Sequence, residues 1–347
     1  MNKSIRKWLT ITFDIIFLPL FTLSLFDVGL TVYLFDQAKG QLKIIYFSEK
    51  VNDLKRERKF TSDQIKQLEL IQEIKTYSVE KLNFNPSSSY TSFYDQKNKS
   101  ILWTVTACEP YQFKSYEWKF PFLGNLSYKG YFDTLKAVEE REKLKGLGYD
   151  SDISSIQAWS TLGFFDDPIF SEMLKKPKAK LTELIFHELF HGTIYAPGAV
   201  ELNENLAAFI AKKATFDFLN SDTMALKEYR EYLENEKKMN FFIRKCVNHL
   251  NTCYHNFNLQ KTSKKEKEKR KGDQINTIVN ELMRTNFISN SAKLKISKRI
   301  IESGNAFFMH YKRYNAKEDS LENIYREKFK GNLSLMILDI KNNISSL

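Results

Sequence analysis

The stretch Leu181-Thr-Glu-Leu-Ile-Phe-His-Glu-Leu-Phe-His191 decides the reading of this chain. It contains the pattern His-Glu-x-x-His. On a helix, residues four apart share one face, so His187 and His191 can point at one cation. Neutral imidazole suits Zn2+. Glu188 sits beside the pair, where its carboxylate can take a proton from a water held at the cation. The neighbours Leu184, Ile185, Phe186, Leu189 and Phe190 are apolar. They predict a helix buried nearly all round, where a polar His and Glu need a reason. With five histidines in 347 residues, chance is a poor account of this spacing. The competing account is a pair of buried histidines hydrogen-bonded to backbone.

A catalytic zinc site needs a third protein ligand and one open position. Downstream, Tyr195-Ala-Pro-Gly-Ala199 reads as a turn that folds a second helix back on the first. Leu202-Asn-Glu-Asn-Leu-Ala-Ala208 then offers Glu204 as the third ligand, near the start of that helix, with Asn203 as its N-cap. Glu201 competes for the ligand role from a place outside the helix. The set His187, His191, Glu204 plus water gives the expected chemistry, hydrolysis of a peptide bond with Glu188 as base.

Upstream, residues 28–83 have a helical pattern. Gln64 to Ile74 carries apolar residues at 65, 68, 70, 71 and 74, and Asn85-Pro-Ser-Ser-Ser89 breaks it. Strand formers follow in Ser100–Ala107 and in short pieces of Phe120–Phe132. Asp133–Lys145 reads as a helix ended by Gly146 and Gly148, and Ser155–Gly163 as another strand. Beyond the motif, the spacing predicts helices at about 221–260, 273–290, 292–313 and 318–343. Glycine and proline are scarce, at 12 and 7, which favours long helices. The expected fold class is α+β, a mainly helical body with a small β-sheet beside the His-Glu-x-x-His helix. The expected layout is an anchor segment over 1–35 and a peptidase domain over 36–347. Within that domain, 36–176 is helix plus sheet, and 177–347 is helical and carries the metal site.

The N-terminus shows Lys3, Arg6 and Lys7 before the apolar run Leu9–Phe26, interrupted by Asp14 and Pro19. A positive flank before an apolar run is the pattern of a signal anchor. It predicts a membrane-tethered chain with its basic end in the cytoplasm and the rest facing the periplasm or cell exterior. The formal net charge is +11, and much of the excess lies in Lys261-Thr-Ser-Lys-Lys-Glu-Lys-Glu-Lys-Arg-Lys271. No aromatic residue interleaves there, which argues against single-stranded nucleic acid. The run reads as a solvated connection between two helices, with no nucleic-acid partner expected. A surface factor that binds acidic polymers through the run would bind in a salt-sensitive way. Cys108, Cys246 and Cys253 form no Cys-x-x-Cys pair and no disulfide framework. On one helix Cys246 and Cys253 stand about 10 Å apart, too far to bridge.

The sequence resembles the bacterial "predicted aminopeptidase" family, distant relatives of the gluzincins. The residues that carry the resemblance are Gly40-Gln-Leu42, Trp118-x-Phe-Pro121, Ser127-Tyr-Lys-Gly-Tyr-Phe132 and Ser160-Thr-Leu-Gly-Phe-Phe-Asp-Asp-Pro168. Leu184–His191, Asn203-Glu-x-x-Ala207, and Asn305-Ala306 with Tyr311 and Tyr314 complete it. The resemblance implies zinc, with His187, His191 and Glu204 as ligands, Glu188 as base, and an envelope location. Many members of that family carry a lipid-bearing cysteine after the signal, and relatives carry two cysteines around the Phe-Pro segment. This chain has neither, with Lys119 and Asn125 at the latter places.

A tetrahedral oxyanion needs a donor besides the metal, for which Tyr131, Tyr311 and Tyr314 are the candidates. Packing is the competing role of each. Ser160–Gly163 can serve as an edge strand that pairs with a peptide backbone. Asp166-Asp-Pro168 reads as a turn. His249-Leu-Asn-Thr-Cys-Tyr-His255 has spacings unlike a four-ligand zinc site, and His310 reads as structural. The alternative to an enzyme is a membrane-tethered, non-catalytic module that uses zinc structurally or binds a partner. A site closed by a fourth side chain would favour it.

Overall fold

The computed structural model describes residues 28–120, 124–156, 166–196, 198–309 and 318–343. The chain forms two compact units, one up to Ser48 and one from Glu49 onward. In the first, α1 spans Val28–Phe47. No helix among the described residues is long and apolar enough to cross a membrane. The run Leu9–Phe26, on which the expected anchor rests, lies outside them.

The second unit begins with β1 (Glu49–Lys50), α2 (Val51–Arg56) and α3 (Ser62–Leu82). Thr61 and Gln64 form a reciprocal capping box that starts α3, and Asn83 ends it in the left-handed conformation. The apolar spacing read in α3 maps onto its buried side, which includes Leu68, Ile71 and Ile74. Next come β2 (Ser92–Tyr94), β3 (Trp103–Cys108), β4 (Trp118–Phe120), β5 (Gly124–Leu126), β6 (Lys129–Tyr131), α4 (Thr134–Gly146), β7 (Asp150–Ser155) and β8 (Ile169–Phe170). A short 3-10 turn, Met173–Lys175, leads into α5 (Lys178–His191), the motif helix. The remainder is α6 (Val200–Phe218), α7 (Thr223–Leu259), α8 (Lys264–Arg284), α9 (Asn290–Ser303), α10 (Glu318–Glu327) and α11 (Leu333–Asn343).

The α+β expectation fits this mainly helical chain, but among the described residues the single sheet becomes three small ones. β1-β2-β8 form one, with β2 and β8 parallel; β6-β3-β7 form an antiparallel one; β4 and β5 form a hairpin. In the second sheet Trp103 pairs with Ser155 and Cys108 with Asp150. β7 ends at Ser155, where the strand expected over 155–163 was to begin; residues 157–165, and so most of that expectation, lie outside the described ones. The single helix expected over 318–343 is two helices, broken where Gly331 takes φ +78°.

The lysine run is the largest correction. Most of it is not a connection but the first turns of α8, capped by Ser263, whose hydroxyl accepts from the Glu266 amide. Its last residue, Lys271, turns inward. It pairs with Asp150 at 2.5 Å, and both side chains are largely buried. Asp152, two residues along β7 on the same face, receives a forked pair of hydrogen bonds from Arg299 and a third from Ser303. Two strand carboxylates thus fasten the sheet to α8 and α9. Alternating Asp150 and Asp152 within a strand gives no apolar pattern, which is why the sequence did not mark 150–155 as strand.

The core around α5 is aromatic. Phe186 is fully buried, with its ring centroid 6.1 Å from Tyr77, 6.3 Å from Phe84 and 5.9 Å from Phe218. α5 packs against α3, α6 and α7. Replacing Phe186 with Ala removes a ring at the meeting point of these elements. It is expected to cost about 3–5 kcal/mol, read as a lower urea midpoint with an unchanged slope. A loss below about 1 kcal/mol would show that the neighbouring rings close the gap.

Candidate metal centre

α5 is buried on one side only. Leu181, Thr182, Ile185, Phe186, Leu189 and Phe190 are buried, whereas Glu183, Leu184, His187 and Glu188 keep partial exposure. The expectation of burial all round therefore fails along the stripe that holds the motif. This is the 3.6-residue period at work: positions 184, 187, 188 and 191 share one face, and that face carries the chemistry.

The chain reverses between α5 and α6. Gly198 takes φ +77°, a conformation that favours glycine. Asn203 holds the reversal closed. Its side chain accepts from the Ala196 amide at 2.8 Å and donates to the Ala196 carbonyl at 2.8 Å. The expected N-cap role is therefore corrected. The helix begins at Val200 with Ala199 at the cap, so Asn203 lies inside its first turn and reaches back to the turn instead. Both Asn203 and Asn205 are buried.

That reversal brings Glu204 over the histidine pair. His187 Nε2 lies 3.1 Å from His191 Nε2, 3.4 Å separates His187 Nε2 from Glu204 Oε2, and 3.6 Å separates His191 Nε2 from Glu204 Oε1. Ligand atoms at zinc-like bond lengths of about 2.0–2.2 Å in a tetrahedron stand about 3.3–3.6 Å apart. The three observed edges are close to that size. The two imidazoles meet edge to face, 85° apart, so their nitrogens converge without stacking. Among the described residues this is the group of His, Cys, Asp or Glu side chains that could hold a metal ion. Glu201, the competing ligand, is not part of it.

Access is graded. The His187 and Glu204 side chains keep 19% and 22% of their exposure, and His191 keeps 7%. Burial and the neighbouring His187 push the His191 imidazole down to about 4, which keeps it neutral and able to donate a lone pair. Burial also works to lower His187, but the Glu204 hydrogen bond and the carboxylates around it outweigh this and hold it raised. His191 Nδ1 is buried and has no hydrogen-bond partner among the described residues. Burial pushes the Glu188 carboxyl up to about 7. His187 opposes the rise, and the charges of Glu204 and Asp167 add to it. Carboxyl groups tuned toward neutrality are those able to take and return a proton near pH 7.

The chain's match to known proteins agrees with this geometry at a coarse level. The model of the family described as "Putative aminopeptidase" matches residues 32–342. The chain belongs to that family. No curated protein and no solved structure matches it. Family membership supports peptidase activity, and the His-His-Glu group supplies a place for a metal ion.

The structure describes some of the other candidates named from the sequence. Tyr131 is buried in β6 opposite Trp103. Tyr311, Tyr314 and His310 lie outside the described residues, as does Ser160–Gly163. His249 meets Gln274 and Cys253 on the α7–α8 side, with no metal group around it among the described residues. Asp166-Asp-Pro168, read as a turn, runs alongside Ser88–Tyr90. The Asp167 amide donates to Ser89 Oγ at 3.0 Å, and the Tyr90 amide donates to the Asp167 carbonyl at 2.7 Å.

Tyr90 was not legible in the sequence at all. It is buried, takes φ +64°, and its hydroxyl is raised by burial and by the charges of Glu188 and Asp167. A bulky residue in the left-handed region carries strain that its surroundings must maintain. Nothing in a single sequence signals such a backbone.

Asn305 is another residue whose part emerges only in three dimensions. It is fully buried, accepts from the Tyr254 hydroxyl at 2.8 Å, and donates to the carbonyls of Glu109 at 3.0 Å and Pro110 at 3.1 Å. Its amide donates to Asp150. Gly304 before it has φ +51°, and a Cβ there would collide with the Asp150 carboxylate. Gly304-Asn305 is a lock between the helical body and the loop that follows β3.

Proposed function

We propose that this chain is a zinc-dependent peptidase, with His187, His191 and Glu204 as ligands and Glu188 as general base. The observation that carries the reading is the triangle of 3.1, 3.4 and 3.6 Å between the three ligand atoms. Two imidazoles and one carboxylate are the donor set of a catalytic rather than a closed zinc site. Zinc held there supplies Lewis acidity toward a scissile carbonyl. Glu188 takes a proton from the attacking water and returns it to the leaving amine. His191, kept neutral by burial, holds its donor nitrogen in place, and Asn203 holds Glu204 in register with the pair.

The charged start Lys3, Arg6 and Lys7 followed by Leu9–Phe26 supports reading the chain as membrane-tethered, with the catalytic unit outside the cytoplasm. A peptide is the expected partner and nucleic acid is not.

The direct test is hydrolysis of a mixed peptide library by purified protein, with chelator and with zinc restored. Cleavage that chelator abolishes and zinc restores is the expected result. Cleavage that resists removal of all bound metal would overturn the reading. So would stoichiometric zinc without any cleavage, which is the behaviour of a non-catalytic module.

A further inference from the structure

α7 and α8 run antiparallel, tied by Lys245 to Glu281 at 3.0 Å and by His249 to Gln274 at 2.5 Å. Phe242, Ile243, Cys246 and Leu250 of α7 are buried in one cluster with Ile278 and Leu282 of α8. Phe241 stands off that core and keeps 67% of its exposure. On a helix surface the neighbours of a residue are those three and four positions away. For Phe241 these are Lys237, Lys238, Arg244 and Lys245, all cationic and all exposed. A single exposed apolar side chain needs no explanation. One framed on all four sides by cations has an arrangement that packing within the chain does not use.

A cavity of about 620 Å³ opens beside Phe241, between α7 and the end of α8. Phe242 and Phe287 give it apolar walls, and Arg284 adds a fifth cation from across the groove. Its two carboxylates are engaged, Glu281 by Lys245 at 3.0 Å and Glu234 by Lys238 at 3.8 Å. The side chains of Lys237, Arg244 and Arg284 make neither ion pair nor hydrogen bond among the described residues. The surface therefore has a surplus of positive charge around an apolar centre.

Charge complementarity and shape together narrow the occupant. An acidic polymer would engage the cations and leave Phe241 and the apolar walls in water. An acidic helix from another protein would offer one charged flank, whereas these cations lie before, after and across from Phe241. A plane of lipid phosphates above an acyl boundary matches both parts. Phenylalanine sinks to the boundary between headgroups and acyl chains, and lysine and arginine meet the phosphates.

We propose that this face of α7 and the end of α8 docks on the surface of an anionic phospholipid bilayer, with Phe241 at the acyl boundary and Arg244 and Arg284 on lipid phosphates. The proposal rests on neither the peptidase reading nor the N-terminal tether. Each cation near an anionic leaflet is worth about fivefold in binding.

The test places p-benzoylphenylalanine at position 241 of the full chain, an exposed position where a larger ring displaces no core. The chain is irradiated with vesicles of phosphatidylcholine, alone or with about one third phosphatidylglycerol, at about 0.1 M salt, and the crosslinked product is identified by mass. The expected product is a phospholipid adduct, at least about tenfold more abundant with phosphatidylglycerol present. R244Q together with R284Q should lower it about 25-fold, since two cations are removed. K265Q together with K269Q, the same change of charge at two exposed positions near the start of α8, should leave it within about twofold.

Equal adducts from the two kinds of vesicle would overturn the proposal, because a tethered chain brushing any bilayer gives that result. A control pair as damaging as the arginine pair would overturn it too, and would leave only general attraction of a basic chain. A crosslink to a second copy of the chain would assign the face to self-association. No crosslink at all, from a chain that floats with phosphatidylcholine vesicles, would keep the tether and remove this surface. Peptide hydrolysis by the native chain stands or falls separately from each of these outcomes.

Discussion

Replacing Glu188 with Gln is expected to leave zinc binding intact and to reduce peptide hydrolysis by about 10²- to 10⁴-fold, the usual worth of a positioned general base. Glu188 is not in the ligand group, so the three donor atoms keep their places. Gln has the same shape and fills the same half-buried position between the histidine stripe and the core. Its amide cannot accept a proton from water or pass one to an amine. The loss should fall on kcat, with KM little changed, because the interaction removed acts in the transition state. The measurement is steady-state hydrolysis on the best library peptide, beside metal content by elemental analysis. Full activity in a zinc-loaded E188Q protein would sink the mechanism. Loss of zinc would show instead that Glu188 shapes the site, and would move the base to another residue.

How much of this was written in the sequence depends on the length scale of the cause. His187, Glu188 and His191 were legible because their relation is set within one helix, where spacing alone fixes the face. Glu204 was legible with help from the turn residues before it, since Gly198 marks where the chain must reverse. The capping box of α3 and the Asp133 cap of α4 are equally local, each set within a single turn. What the sequence hid are relations between distant segments. Asp150 and Asp152 look like surface turn residues until Lys271, Arg299 and Ser303 arrive from helices more than a hundred positions away. The lysine run misled for the same reason. Its composition describes a solvated connection, and only the partner of Lys271 shows that one of its charges belongs inside. Tyr90 had no signal at all and Asn305 was marked only through the family resemblance, because a left-handed backbone and a two-carbonyl lock are properties of what surrounds them.

Asn203→Ala is expected to damage both fold and site, and the two effects should appear together. The Asn203 side chain bonds the amide and carbonyl of Ala196, each at 2.8 Å, in a buried position. Alanine leaves the buried Ala196 amide without a partner, at about 1–3 kcal/mol, and takes one of two hydrogen bonds from the Ala196 carbonyl, which keeps the Ala199 amide at 3.2 Å, at about 0.5–1.5 kcal/mol. The expected loss is therefore about 2–4 kcal/mol of stability, seen as a lower thermal midpoint. The site consequence follows from adjacency. Asn203 fixes the first turn of α6, and Glu204 is the next residue on it. Releasing the turn lets the Glu204 carboxylate drift from its 3.4 and 3.6 Å places opposite the histidines. Residues that orient metal ligands are worth about 10- to 100-fold in affinity, so zinc affinity measured by competition with a chromophoric chelator should fall by that factor. Phe186→Ala supplies the comparison. It is expected to lose as much stability through the core while leaving the α5–α6 reversal tied. If N203A loses stability but keeps its zinc affinity, the lock belongs to the fold alone and Glu204 is held by other contacts. If zinc affinity falls in N203A and holds in F186A, the asparagine before the ligand is what sets the third corner of the metal triangle.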